Sequence, residues 1–146
     1  MAYSALTDIQ KLLPDDTILQ LSVDPADTDQ TTINQTRVDE AIAQADAEIN
    51  SYCGSKYSVP FATAPAIVKK ISVDIAIYNL YSRKVDEIPE TRADRYKNAI
   101  RQLEGISRGL ISIGVDPAPA APTVGGSETN KETNDRIFTR DKMEGF

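Results

Sequence analysis

Histidine and tryptophan are both missing from this 146-residue chain, cysteine occurs once and glycine only seven times. Without histidine, the side chain that most often serves as general base or metal ligand is gone. The Glu-x-x-His pattern of helical cofactor bundles cannot be written at all. The lone Cys53 excludes an internal disulfide framework and fits a reducing compartment. No imidazole can activate its thiol, and it closes an apolar helical stripe beside Tyr52, so it reads as a small core residue. The glycines form no G-x-x-x-x-G-K-[ST], G-x-G-x-x-G or G-x-S-x-G pattern, which removes the usual phosphate cradles and the nucleophile elbow. No apolar run reaches the roughly 20 residues of a membrane span. The start, M-A-Y-S-A-L-T-D-I, lacks the basic and apolar regions of a signal peptide, so the expectation is a protein made in the cytosol.

Positive charge is outnumbered, 16 Lys and Arg against 22 Asp and Glu. The net charge is −6, and residues 1–36 hold six acids (Asp8, Asp15, Asp16, Asp24, Asp27, Asp29) against one base, Lys11. Non-specific duplex binding needs clustered Lys and Arg to neutralise phosphates, so an acidic chain argues against it. A surface that faces DNA without holding it can well be acidic. Asp24, Asp27 and Asp29 alternate as calcium ligands do, but counting from Asp27 the sixth position is Thr32 and the twelfth Val38, where a calcium loop wants glycine and glutamate. A solvated turn is the better reading.

What is present is helical periodicity. Residues 64–84, A-P-A-I-V-K-K-I-S-V-D-I-A-I-Y-N-L-Y-S-R-K, are apolar nearly all round. Pro65 suits a first helical turn. Ile67, Ile71, Ile75 and Tyr78 share one face, while Val73, Ala76, Ile77 and Leu80 cover the opposite one. Such a helix has to be surrounded, so it is the predicted central core element. Asp74 interrupts it and needs a partner, either a tyrosine hydroxyl or an arginine from a neighbouring helix.

The other elements are amphipathic. Ser4 is the predicted cap of a short helix over 5–13, and Asp15 or Asp16 that of a second turn through Ile18 and Leu21. A polar loop follows over 23–34. Asn34 or Thr36 opens a helix to about Tyr52, with Val38, Ala41, Ile42, Ala45, Ile49 and Tyr52 in one stripe. Pro60 and Pro65 favour an extended connection. Pro89 starts a last helix to about Leu110, with Tyr96, Ala99, Ile100, Leu103, Ile106 and Leu110 turned inward. Arg92, Arg95, Arg101 and Arg108 alternate with Glu90, Asp94 and Glu104, which reads as a salt-bridged solvated face.

The fold class expected is therefore all-α: three main helices and one or two short N-terminal ones, in a small bundle over 1–114. From Val115 the composition turns to a Pro/Gly-rich linker, and apolar residues return only at the end, over 137–146. Residues 115–146 thus read as an extended docking arm, with Arg136, Ile137, Phe138, Arg140, Met143 and Phe146 as its candidate partner-binding residues. A small helix-turn-helix regulator is the alternative. It would need a basic recognition helix after a tight turn, and the candidate helices read acidic, apolar or mixed.

Several of these residues together resemble a known family. The run Ala45-Asp46-Ala47-Glu48-Ile49, then Tyr52, Lys56-Tyr57, Pro60, Pro65, Asp74-Ile75-Ala76, Tyr78 and Leu80-Tyr81, is similar to the phage Mu-like head–tail adaptor family, also described as head-completion or connector proteins. The ending Arg136-Ile137-Phe138-Thr139-Arg140-Asp141, with Met143 and Gly145-Phe146, resembles the family's closing motif. Cys53-Gly54 and Lys56 depart from its usual residues and touch only helix-end packing. The resemblance implies a structural virion protein without enzymatic activity or cofactor, made in the bacterial host cytoplasm and placed in the head–tail neck. About twelve copies would form a homo-oligomeric ring beneath the portal protein. That ring would extend the DNA channel, let DNA pass without specific binding, and offer the attachment site for the next neck, stopper or tail-completion component. No membrane is involved in that picture. A further expectation, drawn from the charge distribution and not from the resemblance, is that some of the N-terminal acids face the channel.

Overall fold

Pro65 and Pro89 each stand one residue ahead of a long helix, holding φ at −58° and −54°, where the missing N–H leaves no intrahelical bond unmade. In the computed structural model, which describes residues 2–84 and 87–119, the elements are α1 (Leu6–Gln10), α2 (Asp15–Ser22), α3 (Gln35–Cys53), α4 (Ala66–Ser82) and α5 (Glu90–Ser107). Among the described residues the regular structure is all helical, as expected.

Helix α4 is the centre. It packs against α3 on one side and α5 on another, while α1 and α2 lie across the α3–α4 pair. Val68, Ile71, Val73, Ile75, Ala76, Ile77 and Leu80 are all buried. Each large side chain among them contributes about 1.5–3 kcal/mol by leaving water. Helix α3 buries one stripe (Val38, Ala41, Ile42, Ala45, Ile49, Cys53), and α5 a narrower one of Ala99, Leu103 and Ile106. A second, aromatic part of the core seats Tyr3 on Phe61 at 5.7 Å and Phe61 on Tyr57 at 6.2 Å, joining the N-terminal segment to the α3–α4 connection.

The helix ends differ from the expected ones where a side chain found a better partner. Asn34 does cap α3, its side chain accepting the Arg37 N–H at 3.3 Å. Ser4 does not cap α1. Ala5 occupies that position, and the Ser4 hydroxyl turns into the core towards Ser72 at 2.8 Å. Neither Asp15 nor Asp16 caps α2; Pro14 precedes the helix and both acids sit in its first turn, where the helix dipole favours them. Helix α5 stops at Ser107, so Leu110 lies beyond it and is 80% exposed, not inward. Gly109, at φ 76°, reverses the chain there and lets Leu110 N–H reach Gly105 O at 2.8 Å.

Candidate interaction surfaces

Tethering of the N-terminal segment starts with one buried carboxylate. Asp46 on α3 accepts the Tyr3 N–H at 2.9 Å and the Ser72 hydroxyl at 2.8 Å, and Ser72 in turn meets Ser4. Burial pushes the Asp46 carboxyl above its ordinary range, against the two donors that pull it down. The Tyr3 hydroxyl bonds Asn50 and accepts the Phe61 N–H at 3.0 Å, so one side chain ties three segments together.

At the other end of the bundle, cations hold the loop after α2. Arg37 makes a two-pronged pair with Asp27 and reaches Asp24 at 3.1 Å. Arg83 and Lys84 also close on Asp24, at 2.9 and 3.0 Å. The same three cations bond the Ser22, Leu21 and Val23 carbonyls, which are the orphan acceptors at the C-terminus of α2. Asp27 is held at about 2, first by the Arg37 hydrogen bond. Asp29 sits equally low because Thr31 and Thr32 donate to it. The aspartates of the polar loop are thus engaged by these cations and hydroxyls, and among the described residues no cluster of acids, cysteine or histidine could hold a metal.

Two other surfaces flank α1. On its α3 side is a groove of about 500 Å³, lined by Ala5, Leu6, Gln35, Asp39, Ile42, Ala43, Ala47 and Pro60 among others, with no lysine or arginine in its wall. On its α4 side an apolar hollow of about 270 Å³, floored by Leu12, Ala66 and Val73, is ringed by Lys11, Lys69 and Lys70. Beneath those lysines lie two carboxylates. Asp8 accepts Lys11 at 2.8 Å and Lys69 at 2.9 Å, and its carboxyl falls to about 2, chiefly through those bonds. Asp74 pairs with Lys70 at 3.1 Å and with Arg95 of α5 at 3.0 Å. The arginine named as one of two possible partners for Asp74 is therefore found. Its Nε–H is not aligned for a hydrogen bond with Oδ1, so this contact is an ion pair.

The lysine ring is not legible in the sequence. The adjacent Lys69 and Lys70 at the start of an otherwise apolar helix were its one visible trace. Of the N-terminal acids offered to a channel, Asp8, Asp24 and Asp27 are engaged by cations, while Asp15 and Asp16 are exposed. Of the arginines on α5, Arg95 is ion-paired and Arg92 donates to Leu12 O at 3.1 Å. The short turn over residues 11–14 leads into α2, whose first turn is acidic, which is the wrong sign for a recognition helix. Cys53 is fully buried and its thiol is pushed up by that burial. Arg136, Ile137, Phe138, Arg140, Met143 and Phe146 lie outside the described residues. No helix among the described residues is long and apolar enough to cross a membrane.

Among the described residues the body is all helical, with a lysine-ringed hollow on the α4 side of α1 and a fully buried thiol. The family described as "Bacteriophage Mu, Gp36" matches residues 3–131, and the chain belongs to that family. It is 33% identical over 84 residues to "Mu-like prophage FluMu protein gp36" of Haemophilus influenzae, a stretch covering 58% of this chain and 57% of that protein. It is 27% identical over 109 residues to "Gene product J" of Escherichia phage Mu, covering 74% of each. The first match thus spans little more than half of the Haemophilus protein's length.

Proposed function

We propose that this protein is a structural head–tail connector of a tailed phage. Copies form a ring below the portal, extend the DNA channel and present the attachment site for the next neck or tail component. The observation that carries the reading is membership of the phage Mu family over residues 3–131. The acidic net charge agrees with a wall along which DNA slides without being held. In this reading Arg136, Ile137, Phe138, Arg140, Met143 and Phe146 grip the portal or a neighbouring copy, and the tether raises their effective concentration around the ring. The test is a chain ending at Pro119, which keeps the Ala118 N–H bonded to Lys56 O at 2.9 Å. Expected are unchanged helical circular dichroism and loss of co-assembly with the portal. Co-assembly equal to that of the full chain would refute the role of the arm, and failure of the full chain to assemble on any portal would refute the connector.

A further inference from the structure

The surfaces on the two sides of α1 are complementary to each other. The α4 side presents exposed Leu12 in an apolar hollow, under Lys11, Lys69 and Lys70. Their counter-charges sit low: the Asp8 and Asp74 side chains are 9% and 2% exposed, against 70%, 48% and 56% for the three lysines. With Arg95 also on Asp74, four cations share two buried acids, and Arg92 stands beside them on Leu12 O. This is a cationic patch on a chain of net charge −6. The α3 side carries the opposite sign: a groove floored by Ile42, Ala43 and Ala47 has Asp39 in its wall, and exposed Glu40 follows Asp39 on α3.

We infer that these two surfaces bind one another between copies of the chain, Leu12 and the lysine ring of one copy lying over Ala43, Ala47 and Asp39 of the next. The inference rests on the connector reading for its ring. Charge complementarity selects the occupant, since the acidic half of the contact is carried by the same chain. An apolar floor under the cations favours a protein surface over nucleic-acid phosphates. Because the two surfaces are different, the contact is heterologous, so repeated head to tail it gives a ring when the rotation between copies closes, where a self-complementary patch would stop at a dimer.

Cysteine trapping tests this on the full chain, because native Cys53 is fully buried and does not compete. Proteins carrying Leu12→Cys and Ala43→Cys are mixed under mild oxidant. The expected product is the mixed dimer, in excess over either symmetric one. It is lost with Lys69→Glu/Lys70→Glu in the Leu12→Cys protein and restored when the partner carries Asp39→Lys/Glu40→Lys, a rescue that a folding defect would not show. Symmetric dimers in excess, or a mixed dimer indifferent to both charge reversals, overturn the inference. So does salt-sensitive binding of duplex DNA that Lys69→Glu/Lys70→Glu abolishes while no mixed dimer forms. Light scattering with the portal separates the two readings: rings without this cross-link discard the interface alone, and a cross-link without portal binding discards the connector alone.

Discussion

Arg95 on α5 places its Nε 3.0 Å from Asp74 Oδ1, a carboxylate 2% exposed in the middle of the central helix. One helix supplies a charge that its apolar surroundings would otherwise penalise, and the neighbour neutralises it from outside. The pair fixes α5 against α4 at one rotation. Tyr78 and Tyr96, stacked at 4.1 Å and 11°, mark the same seam.

Arg95→Ala is expected to destabilise the fold by about 1–3 kcal/mol, below the full penalty for a broken buried pair, because Lys70 stays on Asp74 and Arg95 is 41% exposed. Urea denaturation followed by circular dichroism measures it. An unchanged midpoint would mean that the pair contributes nothing.

Tyr3→Phe keeps the ring packing on Phe61 and removes one oxygen. The Phe61 N–H then lacks its acceptor in a buried place, a loss of about 1–3 kcal/mol. Amide exchange at Phe61 should accelerate in this variant by more than at α5 amides.

Acid should loosen the chain in a defined window. The folded carboxyls of Asp8 and Asp27 lie at about 2, below the unfolded value of 3.8, so their stabilisation is present above pH 3.8 and is lost as pH falls towards 2. Asp46 has the opposite sign: its folded value is raised, so it favours the fold below 3.8 and withdraws that support as pH rises through its folded value. Urea midpoints taken across this range should fall on the acid side, with a shallower slope for Asp8→Asn. In Asp46→Asn the loss on the alkaline side should vanish.

The Cys53 thiol should resist a water-soluble thiol reagent in the native state and react fully in denaturant, because it is both buried and disfavoured as thiolate. Rapid native labelling would contradict its place in the core.

How far these features could be read in advance depended on whether they were local. The apolar periodicity of residues 64–84 called for a surrounded central helix, and α4 is that helix, with Ala66, Lys69 and Lys70 facing solvent. The need of Asp74 for a partner followed from its position on that helix, and arginine was among the partners expected. Ser4 departs from the expected cap because a hydroxyl near a helix start can cap it or bond elsewhere, and here it bonds the buried Ser72–Asp46 pair. Leu110 fitted the stripe of α5 but follows the glycine turn that ends the helix. The lysine ring was hidden because its members come from the turn after α1 and from α4, more than 50 residues apart.

Periodicity, prolines and missing histidine thus determined by themselves the helical class, the identity of the central helix and the absence of histidine chemistry, since each depends only on residue type and near spacing. Tertiary structure decided which charges meet. Asp8 with Lys69, Asp24 with Arg83 and Lys84, and Asp74 with Arg95 are contacts between segments distant in sequence, and only packing the helices fixes their distances.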